Sequence, residues 1–199
     1  MRILFVCTGN TCRSRMAEAF MTGQLAARGV SGRVFSRGIL PGGRVVPSEV
    51  TTSLRRLGEE TSSLSRESLE LTAEDLEAAD VVIGMAREHV RHTVVMSPTS
   101  WDRSFTLKEL VRRGGQVGPR ASSDSPEEWT ARVGMGRERS ELLGASTSDD
   151  VSDPIGRPLS AYLATANELL GLVSELADLL WPTPFSGGVA RPRGSGKPS

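Results

Sequence analysis

The first fourteen residues, MRILFVCTGNTCRS, constrain this chain more than any other stretch. Ile3 to Val6 is an unbroken apolar run, the pattern of a short buried strand. The run breaks at Cys7 into small, polar, glycine-containing residues, and after Ser14 the sequence reads as a helix. A strand that feeds a tight loop and then a helix makes an anion site, because loop N–H groups and the helix N-terminus point at the loop's centre. Cys7 opens the loop and Arg13 closes it, with five residues between them. Such a loop curls around one phosphate-sized group, with donors drawn from Thr8, Gly9, Asn10, Thr11, Cys12, Arg13 and Ser14. Arg13 adds a bidentate guanidinium contact. An electropositive cradle favours a cysteine as thiolate, so Cys7 is the candidate nucleophile and Ser14 a candidate donor to it. Gly9 and Asn10 are residue types that tolerate the positive φ such a loop tends to need.

The stretch Val6 to Ser14 resembles the N-terminal signature of the low-molecular-weight protein tyrosine phosphatase family, strand-Cys-x5-Arg-Ser-helix, and Met16-Ala17-Glu18-Ala19 continues the likeness. Arg15 departs from it, standing where the family usually has proline; it is expected to add a charge near the rim of the site. A second motif lies far downstream. Asp153-Pro154 alone is common turn chemistry. Proline holds the residue before it extended, which can hold Asp153 out over the cradle. The resemblance implies that Asp153 is the general acid. It also implies that Ser36, in Ser36-Arg37-Gly38, supports Asn10, although a serine at a strand end reads equally well as local structure. The histidine that many relatives carry before a Ser/Ala-Arg pair is missing ahead of Ser65-Arg66, so that support is absent or made differently.

The implied chemistry is two-step phosphoryl transfer through a cysteinyl-phosphate, with Cys7, Arg13 and Asp153 catalytic and no metal or cofactor. The implied substrate is a phosphorylated protein or peptide. Two substrate classes stay open: phosphotyrosine, which family frequency favours, and phosphoarginine as the alternative. Tyrosine-directed relatives usually place an aromatic residue after the Asp-Pro pair, where this chain has Ile155. Phosphoarginine-directed relatives resemble it at Thr11, and an acid at Asp153 suits a guanidinium. Cys12 reads either as a reversible disulfide partner of Cys7 or as a small residue filling the loop's underside. An arsenate reductase of this type needs further cysteines, and the chain has two. A non-catalytic phosphate-binding module would keep Arg13 while losing Cys7 or Asp153.

Basic and acidic residues balance at 24 each, so no broad field points to nucleic acid. No apolar run has transmembrane length and no secretory signal is evident, so membrane association is not expected. Two cysteines in one loop make no disulfide framework and point to the reducing cytoplasm.

Along the chain, helix is expected from Ser14 to Gly29, strand over 33–39, helix over 47–57, a helix start at Thr72, strand over 81–85 and helix over 86–94. His89 and His92 lie in that last helix and read as exposed, a metal pair being disfavoured for want of a third ligand. A weak strand at 104–107 precedes a helix expected to stop at Gly114-Gly115. Residues 116–150 read as a polar insertion with a solvent-facing helix over 126–143. Residues 158–180 carry the clearest amphipathic pattern, and 183–199 read as a disordered tail. Alternating strands and helices predict a single α/β domain over 1–182: a four-stranded parallel sheet flanked by helices on both faces. The resemblance implies the strand order 2-1-3-4.

Overall fold

The structure, a computed structural model, describes residues 1–144 and 147–182. The expected tail, 183–199, lies outside the described residues. Four strands, β1 (Arg2–Cys7), β2 (Arg33–Gly38), β3 (Val81–Gly84) and β4 (Ser104–Thr106), form one parallel sheet in the order β2-β1-β3-β4. This is the expected sheet, with the apolar run at its centre. Side chains alternate across a strand, so β1 serves two cores. Ile3 and Phe5 join the larger one, with Met16, Phe20, Leu54, Leu169 and Val173. Leu4 and Val6 join the smaller one, with Phe35, Leu71, Leu76 and Val82. Each such side chain, fully buried, contributes about 1.5–3 kcal/mol.

Helix α1 (Arg13–Arg28) ends where Gly29 turns left-handed at φ 62°. α2 (Ser48–Arg56) and α3 (Ala73–Ala78) follow, the latter opened by a capping box between Thr72 and Asp75. α4 (Arg87–Met96) leaves β3, and α7 (Leu159–Leu180) packs along α1 and α5 (Leu107–Val117). Among the described residues no helix is long and apolar enough to cross a membrane.

Two expectations are corrected here. α5 does not stop at Gly114-Gly115 but runs to Val117, with Gly118 left-handed behind it. A glycine inside a helix costs about 1 kcal/mol against alanine. Gly114 is kept because the α7 side chain Leu179 and the Trp129 ring press against its bare Cα: a Cβ there would lie 2.9 Å from Leu179 Cδ1 and 3.1 Å from Trp129 Cζ2. The helix expected to face solvent over 126–143 is α6 (Pro126–Gly134), and it is anchored in the core. Trp129 is fully buried and donates through Nε1 to Gly118 O at 3.0 Å. Beyond α6, Arg137 is stacked 4.0 Å from both the Trp101 and Phe105 rings and paired with Glu109.

Candidate active site

β1 ends at Cys7 and α1 begins at Arg13, so the loop spans the carboxyl end of the central strand, where open α/β sheets place ligands. Asn10 holds the bend at φ 51°, the sole non-glycine residue at positive φ among the described residues. Gly9 is not at positive φ, so the loop takes its left-handed turn at one of the two expected positions. Gly38 lets the loop close against β2. A Cβ there would lie 2.8 Å from Asn10 N and 2.9 Å from Gly9 C.

Asn10 is fully buried and its side chain is satisfied on every side. Nδ2 donates to Ser36 Oγ at 2.7 Å and to Ser14 Oγ at 3.1 Å, and Oδ1 accepts from Leu69 N at 3.0 Å. Ser36 Oγ donates to Glu18 Oε2 at 2.5 Å, and Arg66 Nη2 donates to both Glu18 oxygens at 2.6 Å. Asn10 is thus held by the Leu69 N–H and by a Ser36–Glu18–Arg66 chain beneath it, with no histidine among the described residues of that layer. Arg15 belongs to this buried layer. It is 1% exposed and lies 3.7 Å from Glu18, which corrects the expectation of a charge at the rim. Burial and the neighbouring Arg66 pull its pKa down to about 10, so it remains charged at neutral pH.

Cys7 Sγ lies 3.0 Å from Ser14 Oγ. Ser14 Oγ also accepts from Asn10, and toward a Cys7 thiolate, which has no proton to give, Ser14 is the donor. Arg13 is buried and donates to Val151 O at 3.2 Å, Thr8 Oγ1 at 3.1 Å and Asp153 Oδ2 at 2.5 Å. The two motifs, 140 residues apart in sequence, therefore meet through Arg13. Asp153 is brought there by its loop: Val151 N donates to Met85 O at 2.8 Å, and Asp150 Oδ1 accepts the Arg87 N–H at the start of α4. The Ile155 N–H reaches back to Asp153 Oδ1 at 3.2 Å. Thr8, Arg13 and Asp153 line a cleft of about 460 Å³, with Glu88 and Asp150 on its described wall. Thr11 is half-buried in the loop and Ile155 is exposed. Cys12 is buried, and burial, then the nearby Cys7 and Asp153, push its thiol pKa up. Both cysteines are free thiols.

His89 departs from the expectation of an exposed helix residue. It is fully buried, with Nε2 3.0 Å from Thr8 Oγ1. Helical periodicity within α4 held the signal, since Val90 and Thr93 share its buried stretch, but nothing local shows that α4 packs against the loop.

The sequence matches the family model for low molecular weight phosphotyrosine protein phosphatases over residues 2–118, more than half of the chain. The chain belongs to that family. It is similar to a protein-arginine-phosphatase of Bacillus subtilis (strain 168), 31% identical over 182 residues, which span 90% of this chain and 97% of the relative. A low molecular weight protein-tyrosine-phosphatase of Staphylococcus aureus is 28% identical over 185 residues, covering 90% and 99% of the two chains. Among solved structures, the low molecular weight protein tyrosine phosphatase from T. tengcongensis superposes with a TM-score of 0.67 at 34% identity, over 90% of this chain and 99% of that one. The strand order 2-1-3-4 accords with that fold.

Proposed function

We propose that this phosphatase hydrolyses phosphoarginine on proteins through a cysteinyl-phosphate. The observation that carries the reading is Asp153 held on Arg13 beside an acidic cleft, at the loop that Cys7 opens at the carboxyl end of β1. The Cys7 thiolate attacks phosphorus, forming the S–P bond as the P–N bond breaks. Asp153, protonated, gives its proton to the departing guanidine nitrogen. Arg13 and the loop N–H groups, from Thr8 through Ser14, hold the phosphoryl oxygens as charge builds on them. The Asp153 carboxylate then takes a proton from water, the water oxygen attacks phosphorus, the S–P bond breaks, and inorganic phosphate leaves. None of these steps calls on a metal or cofactor.

The guanidinium is favoured as leaving group by the cleft's wall. Its described lining carries Glu88, Asp150 and Asp153 and no aromatic ring. Carboxylates stabilise a cationic leaving group, whereas a phenol gains from a flat apolar wall. Phosphotyrosine is the second reading, supported by the Staphylococcus relative's name. A reaction that needs Cys7 reduced at every turnover fits a reducing compartment such as the cytoplasm.

The test is turnover of matched phosphoarginine and phosphotyrosine peptides by the full chain, beside Cys7→Ser. Preference for phosphoarginine, with no turnover by Cys7→Ser, is expected. Preference for phosphotyrosine transfers the proposal to the second reading. Tight phosphopeptide binding without hydrolysis by the wild type makes the protein a binding module instead.

A further inference from the structure

The scheme above gives His89 no task, yet its ring is fully buried directly behind the catalytic loop. Nε2 lies 3.0 Å from Thr8 Oγ1 and 3.4 Å from Glu88 Oε1. Nδ1 is buried with no hydrogen-bond partner. These contacts select a tautomer. A neutral imidazole carries one N–H. On Nδ1 it would be a buried donor with nothing to bond, and the Nε2 lone pair would face a carboxylate. Orphaned buried donors are rarer than under-used acceptors, because the lost hydration is not replaced. The proton therefore sits on Nε2, and His89 donates to Thr8. Burial, then the Arg13 and His92 charges, hold the pKa of His89 down at about 3, so the ring stays neutral in this role.

The hydroxyl of Thr8 is then fully assigned. Arg13 Nη2 can only donate, and it donates to Thr8 Oγ1 at 3.1 Å. With His89, both Thr8 lone pairs are used. The Thr8 proton is left for the cleft side, where Glu88 Oε1 lies 3.5 Å away. A threonine hydroxyl held from behind in this way cannot swing out of reach of the arginine.

The geometry points to His89 as a positioning residue for the phosphate-binding arginine: it fixes the Thr8 hydroxyl, and that hydroxyl holds Arg13 Nη2 in place when Asp153 releases it to serve the leaving group. The inference rests on the phosphatase reading, since it concerns the alignment of Arg13 toward a phosphoryl group. It applies to either substrate class. It adds no proton-transfer step and leaves the chemistry to Cys7 and Asp153.

A double-mutant cycle on the full chain tests it, with p-nitrophenyl phosphate as substrate and each variant compared well below its own melting temperature. His89→Leu is expected to lower kcat by about tenfold or more, the worth of a well-placed buried hydrogen bond. In a Thr8→Val background the same change is expected to cost nothing further, because the group it acts through is gone. His89→Gln, which keeps an N–H near the Nε2 position, is expected to recover most of the loss. Equal losses from His89→Leu in both backgrounds, or no loss in either, overturn the proposal, as a ring that only fills space would behave that way. If the wild type turns over neither p-nitrophenyl phosphate nor a phosphoarginine peptide, the phosphatase reading fails, and the His89 arrangement is decided by the ring's tautomer alone. The chain has two histidines, so nitrogen-15 imidazole spectra assign readily with the His89→Gln variant. A proton on Nε2 supports the arrangement; a proton on Nδ1 overturns it whatever the activity.

Discussion

Arg13 Nη2 donates to Asp153 Oδ2 at 2.5 Å, so the cation that would grip a phosphoryl group also grips the acid that would serve its leaving group. A bound phosphate competes with Asp153 for the same N–H. Binding and proton delivery are thereby coupled, since phosphate that draws Arg13 away also frees the Asp153 carboxyl.

The pairing predicts opposite effects on catalysis and on anion binding. Asp153→Asn should lower kcat by about 10²–10⁴-fold, the usual worth of general acid–base catalysis. Inhibition by inorganic phosphate should be as tight as in the wild type or up to about fivefold tighter, because a half-exposed ion pair is worth no more than about 1 kcal/mol. Steady-state kinetics with phosphate as competitive inhibitor measures both. Weaker phosphate inhibition would mean that Asp153 supports the anion site instead of competing with it.

Ser14 offers a narrower test. Its hydroxyl accepts from Asn10 and lies 3.0 Å from Cys7 Sγ, where it is the donor to a thiolate. Ser14→Ala should lower kcat by about tenfold through the lost hydrogen bond to sulfur, with KM little changed. A loss seen only in KM would place Ser14 in substrate binding.

What could be read early and what could not follows from sequence distance. The strand, loop and helix of residues 1–28 are contiguous, so the placing of Cys7, Arg13 and Ser14 around one loop was legible from spacing, and the buried run put β1 inside the sheet. Asp153 was legible from its proline and from family likeness; its contact with Arg13 was not. The misses are side chains whose meaning lies in a distant neighbour. His89 touches Thr8 across 81 positions, and Arg66 reaches Glu18 across 48. Arg15 looked like a surface charge because arginine is usually exposed, but α1 turns it under the loop toward Glu18. Trp129 was submerged in a polar stretch, and the glycine pair before it read as a helix stop. The stop was overridden by packing, since Trp129 needs the bare Cα of Gly114.

Gly38 tests whether the loop's position depends on β2. An added methyl would meet Asn10 N at 2.8 Å, Gly9 C at 2.9 Å and Thr8 O at 3.0 Å, all backbone atoms that cannot rotate aside. Gly38→Ala should therefore cost about 1–3 kcal/mol in overpacking. It should also cost activity, since a displacement of about 1 Å in a site costs about 10²-fold. Gly29→Ala is the control: its φ of 62° strains an alanine, but there is open space around it and it lies at the far end of α1. That variant should lose about 1 kcal/mol of stability and keep its kcat. Urea unfolding beside kinetics separates the two cases. Equal loss of activity in both would show that general destabilisation, not the loop contact, is responsible.

His89 sets the direction of the acid dependence of stability. Its pKa is about 3 in the folded protein against an ordinary value of 6.5, lowered by burial first and then by Arg13 and His92. Below pH 6.5 the unfolded chain takes up a proton that the folded chain refuses. Stability therefore falls as pH drops from about 6.5 toward 3, by at most about 1.4 kcal/mol per pH unit from this group. His89→Leu removes that proton uptake. The variant should be less stable than the wild type at pH 7, where it lacks the bond to Thr8, and the gap should close or reverse by pH 4.5. Urea unfolding of both proteins at pH 7, 5.5 and 4.5 measures it. Parallel pH dependences would show that His89 accepts its proton in the folded state, and with it that the ring is not held neutral behind the loop.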